Sequence, residues 1–376
     1  MLYTHALVFL ADRGFVPASF RVEDGVYTEL LPYDTEEAGA VSLEGACVIP
    51  GLIDIHTHGN SGADFSDGDY EGLKAMAAFL ARSGVTGFAP ASMTLPYETL
   101  DRAYATARKL HDDPPADCAR LLGINMEGPF FSEKKKGAQN AAYLRDPDFD
   151  AFLQLYEHCG GLIRIVDLAP ELPGAADFAA RAAELCTVSV AHTDAGYEQA
   201  RAVYEAGATH LTHLYNAMPP IHHRKPGVIG AASENDRVYA ELICDGQHVH
   251  PSAVRMAFRL FPGRICLISD ALRCCGMPDG EYELGGQAVF LSGGIARLAD
   301  GTIAGSAATL FDCLRNAVAF GIDRDEAICS ATLNPARQLG CADRFGSIAV
   351  GKQADFLVVD EALNLKSVYL NGTRVE

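Results

Sequence analysis

Val48-Ile-Pro-Gly-Leu-Ile-Asp-Ile-His-Thr-His-Gly59 decides how the rest of the chain reads. An apolar run of strand character ends in two histidines separated by one residue. Side chains alternate across a strand, so His56 and His58 leave its end on the same side. Two imidazoles in that relation can grip one cation. A lone histidine in a strand is more often a satisfied core or surface residue, so the reading depends on what the other strands bring.

Outward from this segment, strand-like and helix-like stretches alternate. Strands are expected at 53–58, 85–92, 121–127, 162–168, 187–192, 208–213, 238–245 and 265–270. Helices are expected at 69–83 and near 97–111, 148–158, 175–185, 197–206, 251–260, 307–320 and 323–331. The first is well marked: Asp69 is an N-cap, Leu73, Met76, Ala77 and Leu80 recur at helical spacing, and Gly84 is a stop. Eight strands alternating with helices predict an α/β fold of the (β/α)8 TIM-barrel type. A doubly wound open sheet is the runner-up, weakened because no GxGxxG follows the first strand.

In a barrel the chemistry gathers at the C-terminal strand ends. There the first strand offers His56 and His58, the third Glu127, the fifth His192 and the sixth His213. The seventh is followed by His248, and the eighth ends at Asp270. So many residues of metal-binding type at independent strand ends are hard to explain as solvation. Imidazoles and carboxylates suit a divalent metal, with Zn or Fe favoured by the histidine content. Such a metal activates water at neutral pH and polarises a carbonyl. Asp270 neighbours the first strand once the barrel closes, so it can take a proton from water and return it to a leaving group. The alternative for Asp270 is a structural or ligand-only carboxylate.

The chain ends read as short strands: 6–10, 14–17, 25–30 and 46–49, then 346–360 and 367–375 with an Asn371-Gly372 hairpin turn. Neither end can bury a good core alone. The expectation is one small β-sandwich domain built from 1–50 and 345–376, beside a barrel of 51–344. Residues 279–304 break the rhythm and read as a β-hairpin insertion.

The 376 residues can bury a large core, as one large domain or two. The formal charge of −19 argues against nucleic-acid or anionic-membrane partners, which need a basic field. No apolar stretch reaches membrane-spanning length, and the N-terminus lacks a signal-peptide pattern. Eleven scattered cysteines without CxxC spacing suit reduced thiols in a cytoplasmic protein. Two basic islands stand out against the acidic background. Lys134-Lys135-Lys136 reads as a solvated loop. His222-His223-Arg224-Lys225 follows His213 in a Pro/Gly-rich loop, where an anion site and a bland loop are equally tenable. A metal site beside a forked arginine suits a small substrate carrying a phosphate.

The same residues carry a resemblance. Pro50–Gly59 and Gly346–Phe356 resemble the amidohydrolase superfamily. Met126-Glu-Gly-Pro-Phe130, Lys136-Gly-Ala-Gln139, Ala191–Ala195, Arg224–Gly227, Cys244–Val249, Ile268–Ala271 and Gly305-Ser306 are similar to the N-acetylglucosamine-6-phosphate deacetylase family. His213-Leu-Tyr-Asn-Ala-Met218 is the most specific match; His-x-His is generic. The resemblance spans essentially the whole chain. It implies that Glu127, His192 and His213 hold one metal, and that His56 and His58 hold a second with Glu127 bridging, giving one or two ions per subunit. It implies Asp270 as acid/base and His248 on the substrate amide or sugar. Ala138 and Gln139 would contact the sugar. Asn216, Ala217 and Arg224 would bind the phosphate, Arg224 reaching a neighbouring subunit of a homodimer. Ala191, Asn125, Ser269 and the run Gly305-Ser-Ala-Ala-Thr-Leu310 depart from the usual family residues without removing a chemical role. Other readings are a different amidohydrolase, such as an N-acyl-amino-acid hydrolase or a deaminase, or a non-catalytic barrel scaffold. A scaffold would be expected to have lost ligands or Asp270.

Overall fold

The alternation of the sequence closes into a ring. In the computed structural model, which describes residues 1–376, eight parallel strands form the barrel. They run at Leu52–Thr57, Val85–Pro90, Ile124–Phe130, Ile163–Leu168, Thr187–Val190, His210–Leu211, Tyr239–Ile243 and Ile265–Ile268. Hydrogen bonds join them in two arcs, the first two strands with a short Arg120–Leu121 strand, and the last six. The arcs meet at two seams. At one, Ala91 bridges Asn125, whose carbonyl accepts the Ser92 amide at 3.0 Å. At the other, the His56 carbonyl accepts the Asp270 amide at 2.9 Å, and the Ala271 carbonyl accepts those of His58 and Gly59. Closure at both seams rules out the open doubly wound sheet.

Each strand is buried along nearly its whole length because helices cover it outside and side chains fill it inside. The helix Tyr70–Arg82 shows how local chemistry sets this arrangement. The Asp69 carboxylate accepts the Gly72 amide at 2.9 Å, Leu73, Met76, Ala77 and Leu80 are buried, and Gly84 turns the chain at φ 87°. Two short helices were not expected from periodicity: Gly227–Ser233 and Leu333–Gln338. Both are too short to show a helical repeat. Ala336 of the second packs with Ile165, Ile243, Cys266 and Ile268 from the strands.

The chain ends pair as expected. Val48 and Ile49 lie antiparallel to Val358 and Leu357, and Leu7 and Val8 run parallel to Cys47 and Val48. The sandwich is a single eight-stranded sheet doubled over, not two separate sheets. Its strand Gly14–Glu23 is longer than the expected 14–17 stretch. Tyr3 stacks on Phe20 at 5.1 Å and meets Phe356 edge-on, so aromatic rings fill the fold of the sheet. Asn371 and Gly372 both take positive φ, as their hairpin turn requires.

The insertion is larger than a hairpin. Gly280–Leu284, Gln287–Ser292, Ile295–Leu298 and Ile303–Ser306 form a four-stranded antiparallel sheet. Leu284, Val289 and Leu291 pack with Met93, Ala138 and Leu272 over the open end of the barrel. The Gln287 side-chain amide also donates to the Ala138 carbonyl. No helix is long and apolar enough to cross a membrane.

Candidate active site

At the C-terminal strand ends, the histidines converge on one carboxylate. Nε2 of His58, His192 and His213 stand 3.3, 3.0 and 3.3 Å from Glu127 oxygens, and Nε2 of His56 stands 3.6 Å away. Ligand atoms of His56, His58 and Glu127 lie within 4.8 Å of one another, as do those of Glu127, His192 and His213. All five residues are buried. Three strand-end residues are bent into the left-handed region to aim inward: His192 at φ 42°, His213 at 28° and Asp270 at 49°. Non-glycine residues adopt such angles only when their surroundings hold them there. The turn at His213 also explains why the sixth strand is only His210–Leu211 and not the expected 208–213.

The outer ring nitrogens show what this pocket is built to hold. Nδ1 of His192 lies 2.9 Å from the Lys135 carbonyl, and Nδ1 of His58 lies 3.1 Å from that of Ala91. Carbonyls only accept, so each ring carries its proton outward and turns a lone pair toward Glu127. Nε2 of His192 and His213 stand only 3.1 Å apart. The inward lone pairs of His58 and His192 beside the Glu127 carboxylate call for positive charge among them, and a divalent metal suits a His/carboxylate set of this kind. Phe131 stacks on the His192 ring at 4.5 Å and fixes its plane.

Without a cation the carboxylates draw a second proton onto His58; a bound metal would supply that positive charge instead. Burial works against the Glu127 charge, yet the four histidines outweigh it and hold the carboxyl well below its usual range. Burial likewise opposes a charge on His58, but Asp270 and Glu127 push its pKa up to about 10. Burial disfavours ionised Asp270, and His58 and His56 overcome that to keep it ionised. Its Oδ1 is 3.5 Å from His58 Nε2 and 3.7 Å from His56 Nε2.

A cavity of about 340 Å³ opens above this cluster. Asp270, His248, Asn216, Ala217, Ala138 and Gln139 line it. Gln139 is doubly fixed: its Nε2 donates to Glu127 at 2.8 Å, and its Oε1 accepts the Thr94 amide at 2.7 Å. His248 Nδ1 pairs with Asp245 at 2.7 Å. Thr302 and Gly305 of the insertion form one wall. Lys134 and Lys135, which the sequence presents as a solvated run, also line the cavity. Arg224 does not. It is exposed on an adjacent groove with Lys225, its guanidinium 2.7 Å from His223 Nε2.

Sequence reasoning passed over Glu241, which lies inside the seventh strand, two residues before its end. It also missed Asp54, whose Oδ2 accepts the Ser269 hydroxyl at 2.5 Å and whose pKa burial raises to about 6. Charged residues inside a parallel barrel strand were the available signal.

Comparison with known proteins accords with this geometry. Residues 47–375 match the amidohydrolase family. An N-acetylglucosamine-6-phosphate deacetylase of Bacillus subtilis is 41% identical over 87% of this chain and 83% of its own length. An N-acetylgalactosamine-6-phosphate deacetylase of Escherichia coli O157:H7 is 35% identical over 96% of both. The structure of the Mycobacterium smegmatis N-acetyl-D-glucosamine-6-phosphate deacetylase, solved with N-acetyl-D-glucosamine-6-phosphate, superposes with a TM-score of 0.93. It is 33% identical and covers 100% of this chain and 99% of that one. The chain belongs to the amidohydrolase family. Within that family it joins the N-acetylglucosamine-6-phosphate deacetylases.

Proposed function

We propose that the protein hydrolyses the acetamide of N-acetyl-D-glucosamine 6-phosphate to D-glucosamine 6-phosphate and acetate. The observation that carries this reading is the pair of buried three-ligand groups sharing Glu127, with ionised Asp270 beside both first-strand imidazoles at the floor of a sugar-sized cavity. Glu127, His192 and His213 would hold one divalent cation, and His56, His58 and Glu127 a second; the donor set favours Zn or Fe. A cation there supplies Lewis-acid activation of water and of the acyl carbonyl.

The chain's own groups do the rest. Asp270 accepts the proton released as water adds to the acyl carbon, then gives it to the amide nitrogen as the C–N bond breaks. The products are acetate and the amine, which takes up the proton that the new carboxyl group releases, and Asp270 returns to its ionised form. His248, held by Asp245 through Nδ1, keeps Nε2 free to meet the amide or a sugar hydroxyl. Ala138 and Gln139 face the sugar. Asn216 and Ala217 line the end proposed for the phosphate.

Arg224 lies outside its own cavity, and exposed Ile221 stands in the same protruding loop. That supports a homodimer in which Arg224 enters the partner's phosphate end. Eleven unpaired thiols support a cytoplasmic setting.

The test is amine and acetate release by metal-loaded protein from N-acetylglucosamine 6-phosphate, its galactosamine epimer and unphosphorylated N-acetylglucosamine. The glucosamine phosphate should be the best of the three. Failure to release acetate from either phosphorylated sugar would overturn the reading. Arg224→Ala should raise KM for the phosphorylated sugar by roughly 30–1000-fold, and matter little for the unphosphorylated one. Equal, small losses on both would remove the phosphate from this loop.

A further inference from the structure

Glu241 is fully buried on the seventh strand, and its only ion-pair partners are imidazoles. Such a carboxylate is costly unless donors surround it. Three do. Oε2 accepts from His56 Nδ1 at 2.9 Å and from the His213 backbone amide at 3.1 Å. Oε1 pairs with His210 Nε2 at 3.2 Å. The reaction proposed above uses none of this, so the carboxylate needs an account of its own.

The geometry around His56 supplies one. Its Nδ1 has two polar neighbours, Glu241 and the Asn125 side chain. Asn125 presents Nδ2, a donor already given to the Ile55 carbonyl at 3.1 Å, so it cannot receive a ring proton. Glu241 is the acceptor left. Holding the proton on Nδ1 leaves Nε2 as a lone pair. That Nε2 is buried, has no hydrogen-bond partner, and faces Glu127 and Asp270. Because the same Oε2 also holds the His213 backbone, Glu241 touches both three-ligand groups, but it reaches a ring only in the first-strand group.

We propose that Glu241 is the positioning residue that presets His56 as a metal ligand, so that the cation at His56, His58 and Glu127 depends on it. The claim rests on the metal centre proposed above, not on the identity of the sugar.

The test compares zinc content and zinc titration of Glu241→Gln, His56→Ala and the double variant with the wild-type protein. The Gln variant keeps size but removes the charge, leaving only a neutral, weaker acceptor for the His56 ring and the His213 amide. It should weaken the zinc held by His56, His58 and Glu127 on the order of 10–100-fold, the cost typical of losing a partner of a ligand histidine. It should lose the same equivalent as His56→Ala, and the double variant should lose no more. The ring ¹⁵N signals of His56 in the zinc-loaded protein should show Nδ1 protonated in the wild type, with that preference weakened in Glu241→Gln. Wild-type zinc content in Glu241→Gln would overturn the proposal. So would loss of both equivalents, which would make Glu241 a support of the whole barrel, or full zinc content in His56→Ala. If zinc behaves as expected but no amino-sugar phosphate is hydrolysed, the substrate assignment fails and this one stands.

Discussion

Asp270→Asn isolates the chemistry from the fold. The substitution is isosteric, and the backbone holds it in place: the Asp270 amide donates to the His56 carbonyl at 2.9 Å, and its carbonyl accepts the Ser306 amide at 2.8 Å. The side chain makes no contact shorter than 3.5 Å to the histidines, so the amide need not disturb the ring positions. What disappears is a carboxylate that His58 and His56 keep ionised against burial. An amide can neither take a proton from water nor return one to the leaving amine. A single acid–base group contributes about 10²–10⁴-fold, and here one group serves both transfers. The expected loss in kcat is therefore near the upper end, about 10⁴-fold, or about 5 kcal/mol of barrier. Acetate release at saturating substrate measures it, with metal content and substrate affinity checked on the same sample. Turnover within about tenfold of wild type, with metal retained, would refute the assignment and move the role to His248.

Glu127→Ala and His192→Ala should each abolish activity and metal retention in elemental analysis, since each removes a ligand of the shared cluster. Asp245→Asn addresses the His248 pair. Burial opposes both charges, but each partner overcomes it for the other, so His248 is raised above 6.5 and Asp245 lowered below 3.8. The His248 contribution to stability is thus present below pH 6.5 and lost as pH rises through its raised value. That of Asp245 is present above 3.8 and lost as pH falls through its lowered value. Thermal melts should show Asp245→Asn more destabilised near pH 6 than near pH 10; equal losses at both would dissolve the pair's role.

Periodicity made the barrel legible because parallel strands buried on both faces stand out against helices with one apolar stripe. It brought His56, His58, Glu127, His192, His213 and Asp270 to strand ends, and the structure gathers them at one cavity. Three things stayed hidden. Glu241 sits two residues short of a strand end, where an isolated acidic residue in an apolar run announces no partner. Lys134 and Lys135 read as solvent-facing, because sequence cannot show that their loop folds over His192. Arg224 follows His213 by eleven residues, and periodicity alone cannot show that the loop carries it out of its own cavity. The insertion was legible as β-structure but not as a wall, since its fourth strand, Ile303–Ser306, follows a turn with little apolar pattern.

The seam between the first and last barrel strands has a consequence of its own. The hydrogen bond that closes the ring there joins the His56 carbonyl to the Asp270 amide. The residues proposed as metal ligand and proton carrier are therefore also the latch of the barrel. The strain in the backbone of Asp270 is held by the same contact that completes the circle. An arc that drifted open at this seam would separate base from ligand, so wear on the scaffold there is also wear on the enzyme.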